Sequence, residues 1–323
     1  MKRFLLTLFF CHVIHELLAQ ENFVAIQKHV SRDFPVKSAD QDSKAKNDAK
    51  KWIVAGASTA VLAGSIVYLT QISNYKYSKG FHTKNDNKAW MQMDKCTHAF
   101  VAYTSNRLLS ETYEWAGFRK QEAILISSTS ILTYMSLKEF LDGHIAGGGW
   151  SWGDMGANAF GISLFAAQEL GWKEQKIQYK LSAFPRKYPA DLKPRTDEIY
   201  GTNIPKKLLK DYNAQTYWLS FNINSFTKSS KIPDWLNISF GYGADGIYGA
   251  ASNYETENGQ VIFDRRDIKR YRQFYISPDI DFTKIKTKSK LLKTFFVVAN
   301  AFKMPLPALE ISEGKIKGRL VQF

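Results

Sequence analysis

Three short stretches put ionisable side chains at helical spacing: DKCTHAF from Asp94, KEFLDGH from Lys138 and WGDMGANAFG from Trp152. Asp94 and His98 are four residues apart and share a helix face, with Lys95 beside them. Glu139 and Asp142 share a face at a spacing of three. Asp154 and Asn158 are again four apart, and Gly161 continues their stripe as a helix-packing position where a neighbour can approach closely. In an up-and-down bundle the start of one helix, the end of the next and the start of the third lie at one level. Asp94, Lys95, His98, Glu139, Asp142, Asp154 and Asn158 are therefore predicted to meet in one buried polar cluster.

Such a set supports several chemistries. His98, Glu139, Asp142 and Asp154 offer nitrogen and oxygen donors for a divalent metal such as zinc or manganese. A histidine beside carboxylates also suits general-base work. The spacing matches neither HExxH nor the ExxH pair of di-iron bundles, so catalysis is not specifically indicated. Lys95, His98 and Arg107 could alternatively bind an anionic headgroup. The plainest reading is internal pairing, Lys95 with Glu139 or Asp142, that fixes helix register, because unpaired buried charges cost several kcal/mol. Ser151 and Asp154 also fit an S-x-x-D helix start, so Asp154 has a capping role open to it. GGGWSWG has no strand before it and no Lys-Ser/Thr after it, which makes it a turn rather than a phosphate loop.

Four helical segments would position these residues: Trp52–Ser73, then about Met93–Tyr113, Lys120–Leu141 and Asp154–Gly171. Trp52–Ser73 carries no charge and is long enough to cross about 30 Å of hydrocarbon. Trp52, Trp90, Trp115, Trp150, Trp152 and Trp172 fall at segment ends, as in a membrane-interface belt or at the plugged ends of a soluble bundle. Ahead of them, Met1–Gln20 reads as a signal peptide with a basic start and a short apolar run, and residues 21–51 read as a polar linker. Cys11 follows bulky residues, so a lipid-modified cysteine is not indicated there; Cys96 is the one other cysteine.

The formal charge is +14, and most of it lies beyond Lys173. No nucleic-acid-binding motif accompanies it, so nucleic acid is not an expected partner, and a solvated basic face or contact with anionic lipid remains. Here the periodicity becomes alternating: YWLSFNINSF from Tyr217, WLNISFGYG from Trp235, RQFYISPDIDF from Arg272 and a closing hairpin in ALEISEGKIKGRLVQF read as antiparallel strands. LLKTFFVVANAF, Leu291–Phe302, reads as a short helix. One apolar face opposite a small polar one hints at an outer-membrane barrel, but so few strands fall short of the roughly eight a barrel needs. A sheet packed on the bundle or on lipid fits better.

The ordered set DKCTHAF, KEFLDGH and GGGWSWGDMGANAFG resembles the YfiM-like family of predicted bacterial envelope lipoproteins and, more loosely, VanZ-like membrane proteins, over about Trp52–Trp172. Asp94, Lys95, His98, Glu139, Asp142, Asp154, Asn158 and Gly161 carry the likeness. It implies an envelope location without fixing a biochemical activity. The combined expectation is an α+β chain: a four-helix membrane-associated bundle at 52–172 followed by a small, basic, antiparallel β-region at 173–323. Its role would be structural or ligand-binding in the cell envelope, with membrane lipid or an anionic headgroup as partner and no cofactor beyond a candidate divalent metal. The alternative is a metal-assisted hydrolase acting on a lipid or cell-wall substrate.

Overall fold

A computed structural model describes residues 39–72 and 80–322. The expected signal peptide and most of the linker lie outside them. Helix α1 spans Ala39–Ile72, α2 Met93–Ala116, α3 Lys120–Asp142 and α4 Trp152–Gly171, so Ala39–Lys51 continue a helix rather than a linker. Val54 and Ser58 of α1 are buried, and Val54 joins a core with Leu109, Tyr113, Ile131 and Met135. Leu125, Leu137 and Phe160 remain outside. Gly117, with φ +102°, terminates α2 in the left-handed conformation that glycine tolerates.

A membrane-spanning bundle does not follow. Among the described residues no helix is long and apolar enough to cross a membrane. The reason is visible in α2 and α3, where Asp94, Lys95, Arg107, Glu111, Lys138 and Glu139 interrupt the apolar positions. The uncharged stretch of α1 runs past Val67, beyond which side chains are not described.

The second half builds a six-stranded antiparallel sheet in the order β1-β2-β3-β6-β7-β8. Its strands are β1 Ile177–Ala183, β2 Gln215–Asn222, β3 Leu236–Asp245, β6 Tyr271–Ile280, β7 Leu306–Ser312 and β8 Lys315–Gln322. The hairpin β4–β5, Tyr254–Glu257 and Gln260–Asp264, forms its own two-stranded ribbon, turned by Asn258-Gly259, both at positive φ. Short helices α5 Lys193–Tyr200 and α6 Ile204–Lys210 precede β2, and α7 Ile223–Thr227 follows it. Ile223, expected to prolong a strand, instead begins α7, because Asn222 accepts from the Ser225 N–H and caps it. Helix α8 spans Lys290–Ala299.

The sheet is curled, and its polar face is the inside. Between β1 and β6 lie three strand spacings, about 14 Å in a flat sheet. Lys180 Nζ of β1 nevertheless lies 2.9 Å from Asp279 Oδ2 of β6, both side chains fully buried. Ser220 donates to the same carboxylate at 2.7 Å, and Gln178 donates to Asp281 at 2.6 Å. The strand-like segment Ala301–Lys303 bonds the free edge of β1 at Leu181. Lys303 sits inside as well, its ammonium 4.5 Å from the centre of the Trp218 ring.

Helices α2 and α4 pack so closely at Gly161 that a Cβ there would lie 2.2 Å from the Ala99 carbonyl oxygen. Gly161→Ala should destabilise the fold by about 2–3 kcal/mol in chemical denaturation. Burial pushes the Lys303 pKa down to about 8 from 10.5. Between those values the unfolded chain holds a proton that the folded one lacks, so Lys303 makes stability rise as pH increases through that window. The rise should be about 2–3 kcal/mol, measured by denaturation on both sides of the window, and Lys303→Met should abolish it.

Candidate functional site

The chain enters α2 through three residues in the left-handed region, Trp90, Met91 and Gln92, at φ 50°, 51° and 64°. Such conformations cost about 1–3 kcal/mol each and persist only where the surroundings enforce them. Here the second half of the chain does so. Trp90 N–H donates to Ala250 O at 2.8 Å, Tyr242 donates to Met91 O at 2.5 Å, and Arg272 donates to Gln92 Oε1 at 2.7 Å. Immediately after this turn come Asp94, Lys95 and His98, on the first turns of α2.

Lys95 is the hub. Its Nζ lies 2.6 Å from Asp86, 2.7 Å from Asp154 and 3.4 Å from Asp94. Asp86 comes from the loop before α2 and also accepts from Ser151 Oγ at 2.6 Å. Ser151 is the N-cap of α4, accepting from the Asp154 N–H at 3.1 Å, which leaves the Asp154 carboxylate free to face Lys95. Asp94 accepts from Tyr212 at 3.0 Å, a residue of the 3-10 turn Tyr212–Ala214 that precedes β2.

His98 stands beside this hub. Its Nδ1 is 3.1 Å from Asn158 Oδ1, and its Nε2 is 3.7 Å from Asp154 and 3.8 Å from Glu139. Asn158 is fully buried, and its Nδ2 has no hydrogen-bond partner among the described residues. Lys138 closes the far side, donating to Glu139 at 3.2 Å and Asp142 at 2.8 Å.

The electrostatics follow from this packing. Burial, then the charge of Asp94, push the Asp154 pKa up to about 7 against the pull of Lys95. Burial raises Glu139 despite Lys138, and burial followed by Lys138 lowers His98. For Asp94 burial acts upward, yet His98, Lys95, Lys138 and the Tyr212 hydrogen bond together hold it below its ordinary value. Asp86 is likewise held low by Lys95 and Ser151 against burial. Lys95 is raised because its contacts to Asp154 and Asp86 outweigh burial.

The expected residues are thus brought together with changed partners. Lys95 pairs with Asp86, Asp94 and Asp154, not with Glu139 or Asp142, which Lys138 takes instead. Within the expected metal set, Asp142 is drawn to the rim by Lys138. Asp94 replaces it: one ligand atom each from Asp94, His98 and Asp154 lie within 4.8 Å of one another. Arg107, considered for anion binding, lies further along α2 and pairs with Glu111 at 3.1 Å. Sequence reasoning missed Asp86, Lys138 and Tyr212. Lys138 was legible, four residues before Asp142. Nothing in the spacing announces Tyr212, which lies 118 positions from Asp94.

The arrangement defines a carboxylate-rich, histidine-containing site at one end of a helical bundle, clamped by a curled sheet. Residues 78–168 match a family model described as Predicted periplasmic lipoprotein (DUF2279). That stretch holds every residue of the cluster except Tyr212, and the description is consistent with a cell-envelope protein. It does not confirm a YfiM-like or VanZ-like assignment. No curated protein and no solved structure matches the chain.

Removing the hub cation leaves three buried or half-buried aspartates without their counter-charge. Lys95→Met should cost about 3–5 kcal/mol in chemical denaturation. Arg119→Met, which breaks an exposed pair with Glu122, should leave stability unchanged within error.

Proposed function

We propose that this is a ligand-binding protein of the cell envelope whose bundle end holds a divalent cation between Asp94, His98 and Asp154. The observation that carries this reading is the convergence of those three ligand atoms within 4.8 Å in a buried setting. Charge balance supports it. Among the described residues, the five carboxylates of Asp86, Asp94, Glu139, Asp142 and Asp154 are paired with two ammonium groups, Lys95 and Lys138, and with the His98 imidazole, so negative groups outnumber positive ones. The oxygen-and-imidazole donor set suits zinc or manganese. The Asn158 contact to Nδ1 orients the imidazole so that Nε2 faces Asp154 and Glu139, as an outer partner does for a metal-binding histidine.

A structural or register-fixing cation fits better than a hydrolytic one. A catalytic metal keeps an open position for water and substrate, whereas Glu139, Asp154, Asn158 and His98 are all buried. The same excess of carboxylates makes the cluster a poor receptor for an anionic headgroup, which it would repel.

Elemental analysis of the purified full-length protein should find about one divalent ion per chain, lost in both His98→Ala and Asp154→Asn. Chelation should lower the melting temperature and added metal restore it, the ion contributing about 2.7 kcal/mol at a hundredfold excess over Kd. Metal-free protein whose Asp154→Asn variant is more stable than the parent would overturn the assignment, because the aspartate would then be only an unrelieved repulsion.

A further inference from the structure

The curled sheet leaves an apolar surface outside. In one row across the strands, Phe240 pairs with Ile276 and Ile276 with Leu309; in the next, Phe274 pairs with Ile311 and Ile311 with Ile316. Phe240 is 48% exposed, Phe274 50% and Leu309 52%. The polar partners on the opposite face, Ser239, Ser277 and Glu310, are buried. This inverts the order of a water-soluble sheet, and contiguous apolar patches of this kind mark contact surfaces. Part of the same outer face is already covered by this chain: Phe100 and Tyr103 of α2 lie against Tyr179 and Tyr217 of β1 and β2. The uncovered remainder continues that established interface.

Helix α8 repeats the pattern. It has no buried residue, and Leu291, Leu292 and Phe295 are exposed. Phe296 stacks on Phe282 of the 3-10 turn that follows β6. Lys286, Lys288, Lys290 and Lys293 crowd this helix and its approach, with no acidic residue among them, while Lys284 is paired with Glu174 at 2.8 Å. An amphipathic helix with lysines beside exposed leucine and phenylalanine is the composition of a segment that lies in a lipid interface.

We propose that the uncovered apolar face of the sheet, together with α8, docks the protein on an anionic phospholipid surface. The apolar face supplies hydrocarbon contact and the lysines supply attraction to acidic headgroups. Among the described residues the sheet has six strands, fewer than the roughly eight of the smallest transmembrane barrels, so the proposed seat is on the lipid surface rather than across it. This surface lies outside residues 78–168 and is independent of the cation site.

Flotation of the full-length protein with vesicles tests it, comparing pure phosphatidylcholine with a phosphatidylcholine–phosphatidylglycerol mixture. The protein should bind the acidic vesicles, more weakly as salt rises. Changing Lys286, Lys288, Lys290 and Lys293 to Gln should weaken binding roughly fivefold per lysine. The triple variant Phe240→Ser, Phe274→Ser, Leu309→Ser should bind at least tenfold more weakly, with its circular dichroism spectrum unchanged. Equal binding by parent and variants would overturn the proposal, because another part of the chain would then hold the lipid. So would absence of binding to either vesicle, and so would self-association through this face, abolished by the triple variant, which would assign it to a second copy.

Discussion

One ammonium group organises the first half of the chain. Lys95 Nζ lies within ion-pair distance of aspartates from the preceding loop, from its own helix and from α4. Burying carboxylates is unfavourable unless a cation is desolvated with them, so the three segments are stable only in the arrangement that brings them to Lys95. The backbone makes that arrangement possible. Gly161 lets α4 reach the Ala99 carbonyl, and Ser151 satisfies the α4 N-terminus so that the Asp154 side chain need not. Register, cap and charge then specify the same geometry, and their agreement defines a single structure.

How much of this could be read from residues alone differs between elements. Met93–Ala116, Lys120–Asp142 and Trp152–Gly171 lie within a few residues of the segments drawn from periodicity, and the i, i+4 pairs Asp94–His98 and Asp154–Asn158 lie at the helix starts. Local spacing decides such features. It does not decide partners: Lys95 found Asp86 and Asp154 because a left-handed turn and a helix crossing placed them there. β1 was missed although IQYKLSA alternates Ile177, Tyr179, Leu181 and Ala183 with Gln178, Lys180 and Ser182; what alternation does not announce is the partner of Lys180, Asp279, supplied 99 positions later by the curl of the sheet. The hairpin β4–β5 was missed although Asn258-Gly259 announces a tight turn, since its strands are short and exposed.

The sheet exposes the limit of hydrophobic patterning. Alternation in β2, β3 and β6 identified the strands and separated their faces, but not which face is inside. Patterning alone favours burying Leu219, Phe240 and Ile276. The chain instead buries Lys180, Ser220, Ser239 and Asp279, because their mutual hydrogen bonds and the Lys180–Asp279 ion pair satisfy one another within the curl. The apolar face is then covered where α2, α4 and the turn before α2 reach it. An amphipathic sheet has two stable orientations when its polar face can be satisfied internally, and the sequence period is identical in both.

The two halves are therefore one mechanical unit. Tyr242 and Arg272 of the sheet hold the left-handed run that starts α2, and Tyr212 holds Asp94. The strain of that run persists because the sheet enforces it. Deprived of these three contacts, Trp90–Gln92 would relax toward ordinary backbone, α2 would begin differently, and Asp94 and Lys95 would turn away from Asp154. The residues that could bind a cation lie in the first half, but their geometry is set by the second.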